Sequence, residues 1–179
     1  MSDQAIAPHE PVLTPFVQLY MAGPPRGKPT PRSTWNQAQH FKDQRSPGAV
    51  FEKQLRYAAQ QAMNGRAPTD RPVVIDVIAD FEVPKSSFDA WEQDAAIAGH
   101  FFVSKKPDYD NLLKQLDALT GVVWDDDKRV VEARVRKRWG AHPSMTIEVF
   151  IVEPSTLQKP VKSRKRQAEA AADLFPADA

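Results

Sequence analysis

The chain has 179 residues, of which 41% are hydrophobic and 26% charged, enough apolar material for one ordinary core. It has no cysteine, which excludes disulfides, zinc–thiolate sites and thiol nucleophiles and fits a reducing cytosol. No apolar run approaches the roughly 20 residues that span a bilayer, and Met1 to Pro15 lacks the regions of a signal peptide, so a cytoplasmic protein is expected.

In chain order, residues 1–15 contain Pro8, Pro11 and Pro15 without periodicity and predict a loose N-terminal arm. Phe16 to Met21 predicts a strand ended by Gly23-Pro24-Pro25. Arg26 to Gly48, rich in proline, arginine and polar residues, predicts an extended loop. Phe51, Leu55, Ala58, Ala59 and Ala62 recur at helical spacing, which predicts a helix to Met63 with Gly65 as the stop. The clearest strand is Pro72 to Val83, with Val73, Ile75, Val77, Ala79 and Phe81 on one face. Lys85 to Lys106 is an insertion without a clear pattern. Leu112 to Leu119 predicts a short helix, and Val130 to Trp139 and Met145 to Val152 two further strands. Together these give an α+β fold: a single mixed β-sheet domain over residues 16–153, packed with two main helices. Residues 154–179 form a basic tail expected to be mobile, with a nonspecific phosphate-binding arm as its functional alternative.

The net charge of +1 decides nothing about partners, but its distribution does. Basic residues outnumber acidic ones about threefold from Arg26 to Arg71, Asp76 to Asp127 is acidic, and Lys128 to Arg138 is basic again. A basic rim around an acidic, cation-collecting centre suits a polyanionic substrate.

The chemistry concentrates in Lys105-Lys106-Pro107-Asp108-Tyr109-Asp110-Asn111-Leu112-Leu113-Lys114 and, further on, Trp124-Asp125-Asp126-Asp127. Hard divalent cations take oxygen ligands and bridge to phosphate. Carboxylates from two segments can hold such an ion, which activates water and offsets phosphodiester charge. Acidic residues at helix starts also serve as caps, so any one of these aspartates has an ordinary explanation. Lys114 lies one turn beyond Asp110, either as a plain i,i+4 ion pair or as a charge beside a developing phosphoryl anion. Spacing alone reaches a metal-dependent phosphodiesterase.

Lys105 to Lys114, then Asp117-Ala118-Leu119-Thr120-Gly121-Val122-Val123-Trp124, then Asp126-Asp127 and Val130-Val131, resemble the signature of the RusA family. Those are small Mg²⁺-dependent endonucleases that resolve Holliday junctions, often carried by prophages. Thr120 stands where asparagine is usual, and Lys128-Arg129 where a small or polar residue and glutamine are usual. Gly27-Lys28-Pro29-Thr30-Pro31-Arg32 is more loosely similar to the family's basic Gly-Arg-Pro-Arg segment.

The resemblance implies Asp108, Asp110 and Asp127 as catalytic, metal-binding carboxylates, with Asp126 as a direct or outer-shell neighbour, and Lys114 as a catalytic cation. It implies Mg²⁺, with Mn²⁺ as a substitute, a homodimer, and paired symmetric nicks in branched DNA during recombination and repair. Asp117 is expected to anchor or pair with Lys114, and Asn111 to cap or orient the carboxylates. Asp125 fits no family position and is expected to be solvated.

Lys28 and Arg32, and Arg134, Arg136 and Arg138 on one face of a strand, are the candidate DNA contacts. An exposed solvated face explains the three arginines equally well. Trp124, after two valines, is expected in the core, while the role of Tyr109 stays open. The scattered histidines and the lack of a Walker-type loop argue against zinc hydrolase, HNH and ATP-dependent readings. Two alternatives stand beside the resolvase: the same chemistry on another branched or flap DNA, and a non-catalytic prophage DNA-binding module.

Overall fold

Strand β2 (Val73–Glu82) organises the domain. Its alternating apolar residues face one way, and it is bordered by β4 (Ser144–Val152), antiparallel, and by β3 (Val130–Gly140), parallel. β1 (Leu13–Ala22) closes the other edge against β4, giving one mixed four-stranded sheet in the order β1-β4-β2-β3. The computed structural model describes residues 11–28 and 45–153 of the chain. Arg32, most of the expected Arg26–Gly48 loop and the basic tail lie outside the described residues.

One sheet face carries Leu19, Ile75, Val77, Ile147 and Val149, all buried. It is covered by helix α1 (Pro47–Met63) through Phe51, Leu55, Ala59 and Met63, and by Leu116, Leu119, Val123 and Trp124 of the motif region. A smaller cluster joins Ala79, Phe81, Val83 and Trp139 to Ala96 of helix α2 (Ala90–Ile97) and to Leu112 of helix α3 (Tyr109–Leu113). Leu112 is fully buried, so the motif helix is fastened into the core by its own side chain. The parallel β2–β3 pair requires a long connection, and that connection carries α2, α3 and the acidic run.

The structure departs from the expected elements in four places. β1 begins at Leu13, so residues 13–15 are strand and not arm. Pro15 is tolerated because β1 is an edge strand with a register shift between Pro15 and Val17. α1 begins at Pro47, not Phe51: Ser46 caps it by accepting from the Ala49 N–H, and proline suits the first helical position. The insertion contains α2, opened by a reciprocal capping box between Asp89 and Glu92. The motif helix starts at Tyr109 and tightens to a 3-10 helix over Lys114–Leu119.

Candidate active site

The motif segment is held by the Gly27-Lys28 segment and by Lys137. Lys105 to Pro107 leads into α3 through a cis Lys106–Pro107 peptide, and Asp108 takes the N-cap position. The Asp108 side chain makes no capping hydrogen bond, so the ordinary role for an aspartate there is not the one it performs. Its carboxylate is exposed.

Asp110, in the first turn, accepts from Lys114 Nζ at 2.8 Å. The Lys114 ammonium is the main cause that holds the Asp110 carboxyl below its ordinary value. Both side chains are more than half exposed, so the pair can open to a ligand at little cost.

Asp117 pairs with Lys28, not with Lys114: Lys28 Nζ lies 2.7 Å from its Oδ2. The Lys28 N–H also donates to the Asn111 carbonyl at 2.9 Å. Gly27 packs so closely that a Cβ there would stand 2.7 Å from Pro107 Cβ and 2.8 Å from Asn111 Cβ. The Gly27-Lys28 segment thus latches the motif, and Lys28 already shares its charge with a carboxylate. Asn111 Oδ1 is buried without a partner among the described residues, and it is the Asn111 backbone N–H that bears on the Asp110 carboxylate.

From the other flank, Lys137 Nζ donates to the Lys105 carbonyl and, at 3.1 Å, to that of Pro107. Lys105 itself lies over the Trp139 ring, 4.9 Å from its centroid.

The acidic run sits on a platform built by Trp124, which is 1% exposed. The Asp125 N–H donates to the Thr69 carbonyl, and Arg56 of α1 holds the Ala118 and Thr120 carbonyls at 3.2 and 3.3 Å. Asp127 accepts from the Thr120 hydroxyl, and Trp124 Nε1 donates to Thr120 Oγ1 at 3.1 Å and to Asp127 Oδ1 at 3.5 Å. Asp126 caps the turn Asp127–Arg129 and pairs with Lys128. Asp125 is not simply solvated: Arg129 holds it in a two-bond pair at 2.8 and 2.9 Å.

Every candidate ligand among Asp108, Asp110, Asp126 and Asp127 is a carboxylate, the donor that a hard divalent ion takes, so the set fits such an ion chemically. As the side chains stand, Asp110 is turned to Lys114 and Asp127 to Thr120 and Trp124. Among the described residues no three His, Cys, Asp or Glu side chains form a ready cluster.

Beside Asp108 opens a cleft of about 650 Å³ whose lining includes Arg26, Lys28, Lys105, Lys106 and Asn111. Arg26 and Lys106 have no ion-pair partner among the described residues. Arg134, Arg136 and Arg138 do share the exposed sheet face, but Arg134 pairs with Glu132 at 2.6 Å and Arg138 with Asp80 at 2.8 Å. Arg136 alone of the three lacks an ion-pair partner among the described residues.

Sequence reasoning passed over Arg56 and Lys137, and it read Gly27 only as part of a basic segment. Lys137 carried a signal: it is a charge in register with Ala133, Val135 and Trp139, on the face of β3 that packs inward. Gly27 and Arg56 act through contacts with distant segments, which no local pattern announces.

The family model of the endodeoxyribonuclease RusA matches residues 22–150. No curated protein matches the chain. No helix among the described residues is long and apolar enough to cross a membrane. With the family model covering more than two thirds of its length and the motif residues placed as described, the chain belongs to the RusA endodeoxyribonuclease family, whose members cut the DNA of Holliday junctions and generally depend on a divalent metal.

Proposed function

We propose that the chain is a Mg²⁺-dependent, cytoplasmic junction resolvase whose cleavage is carried by Asp108, Asp110, Asp127 and Lys114. The observation that supports this most is the freedom of the Asp108 carboxylate: at a helix N-terminus it neither caps nor pairs among the described residues, next to a second carboxylate whose side-chain partner is an exposed lysine. An aspartate kept unengaged among so many paired ones suits a ligand that comes with the substrate.

In this reading Asp108 at the N-cap of α3, Asp110 within it and Asp127 on the Trp124 platform would hold Mg²⁺, or Mn²⁺ in its place, with Asp126 as an outer neighbour. A bound divalent ion would supply Lewis acidity toward the phosphodiester and toward water. Thr120 and Trp124 fix the direction of Asp127. Lys114, one helical turn from Asp110, would supply a positive charge that offsets charge developing on phosphorus. Water adds in line, the bond from phosphorus to the 3′-oxygen breaks, and a 5′-phosphate and a 3′-hydroxyl remain.

Arg26 and Lys106 in the cleft, and Arg136 on the sheet, offer charge to backbone phosphates. Lys28, Arg134 and Arg138 offer charge already shared with carboxylates, and their part in DNA binding is correspondingly smaller. A four-way junction is two-fold symmetric, so a homodimer would present two such sites for paired nicks.

The test is incubation of the protein with a synthetic four-way junction, with a flap and with a matching duplex, each with Mg²⁺ and in EDTA. Paired nicks in the junction alone, only with Mg²⁺, support the reading. Equal cutting of a flap or of duplex, or incision in EDTA, contradicts it.

A further inference from the structure

Alternation along β3 sends Arg134, Arg136 and Arg138 to the open sheet face and Lys137 to the face that packs inward. There its half-buried ammonium meets no carboxylate among the described residues. It lies 5.5 Å from the centroid of the Phe81 ring and donates to two backbone carbonyls, those of Lys105 and Pro107. Taking a lysine partly out of water is costly unless its donors are used, and an apolar residue would fill this register position as its neighbours do. The two carbonyls therefore account for the lysine.

Both carbonyls belong to the segment that delivers Asp108. The Pro107 oxygen lies in the planar peptide unit that ends at the Asp108 nitrogen, so holding that oxygen fixes how the backbone enters α3. Pro107 is also packed closely by Gly27. We propose that Lys137 is a positioning residue of the nuclease site, tethering Lys105–Pro107 to the sheet so that the Asp108 carboxylate is presented beside Asp110. This rests on the reading that Asp108 serves cleavage.

Because Lys137 points away from the exposed arginine face and spends its donors on protein carbonyls, its loss should act on turnover and not on affinity. Misplacement of a reacting group by about 1 Å costs on the order of 10²-fold in rate. Lys137→Met keeps the stem and removes the donors. Its kcat on a four-way junction, per folded molecule, should fall by about that factor. The Kd for the junction in EDTA should match that of the wild type, and Lys137→Arg, which restores donors and charge, should recover most of the loss.

Wild-type cleavage together with an inactive Asp108→Asn secures the site reading separately, so failure of either control is failure of that reading and not of the tether. Against those controls, an unchanged kcat in Lys137→Met overturns the proposal. So does a weakened Kd with unchanged kcat, which would make Lys137 a DNA contact. A lowered melting temperature with full activity per folded molecule would make it merely structural. If Lys137→Met does not fold, Lys137→Leu, which likewise carries no donor, is read in the same way.

Discussion

Gly27→Ala is the sharpest test of how the site is held. The added Cβ would meet Pro107 Cβ at 2.7 Å and Asn111 Cβ at 2.8 Å, where ordinary contact begins near 3.4 Å. The shortfall is therefore 0.7 and 0.6 Å, and both obstacles are atoms fixed to backbone, with no flexible end to swing aside. Either the Gly27-Lys28 segment lifts off or the Pro107–Asn111 turn shifts. Lifting strains the bond from the Lys28 N–H to the Asn111 carbonyl and the Lys28–Asp117 pair.

Overpacking of this kind costs about 1–3 kcal/mol. A displacement approaching 1 Å at Asp108 costs about 10²-fold in rate. Thermal melting and single-turnover cleavage of a four-way junction measure the two quantities. A variant with wild-type melting temperature and wild-type rate would show that the latch is not tight, and the account of how Asp108 is positioned would fail with it.

The remaining perturbations separate the other roles. Lys114→Ala should slow cleavage by about 10²-fold, the scale for losing one transition-state donor, with little change in melting temperature because the pair is exposed. The same variant should release Asp110. With Lys114 present the carboxyl titrates below 3.8, so the ion pair persists above that value and is lost as pH falls through the lowered one. Without Lys114 the titration, followed by carboxyl ¹³C NMR, should move up toward 3.8; no movement would mean that the pair is absent in solution. Thr120→Val removes the hydroxyl between Asp127 and the Trp124 indole. It should cost about 1–3 kcal/mol, as for a stranded polar group, and lower kcat; a neutral effect on both would detach this platform from the site. Arg136→Gln should reduce the slope of log K against log[salt] for junction binding by about 1. Arg134→Gln, whose charge is shared with Glu132, should reduce it less.

Much of this was legible because the chemistry is local. Asp108, Asp110 and Lys114 lie within seven residues, their spacing sets their relation on any helix, and their pair formed as i,i+4 geometry requires. β2 and the placement of Trp124 followed from apolar alternation and size. What escaped depends on contacts between distant segments. Lys28 reads as a loop cation, and only the folded chain brings it to Asp117, 89 positions away. The helix start at Pro47 was hidden in a proline-rich stretch where Ser46-Pro47 resembles a loop and is in fact a cap. The arginines of β3 read equally as a phosphate track or as a solvated face, and neither reading foresaw that Asp80 on the neighbouring strand and Glu132 on the same strand occupy two of them.

The central claim is that Asp108, Asp110 and Asp127 carry cleavage and are not needed to hold the junction. Junction binding and junction cleavage by Asp108→Asn, Asp110→Asn and Asp127→Asn, measured side by side with the wild type in Mg²⁺ and in EDTA, test it most directly. Each variant should bind the four-way junction at least as tightly as the wild type, since a charge that repels phosphate is gone, and none should cut. Normal cleavage by any one of them would remove that residue from the site, and normal cleavage by all three would contradict the account.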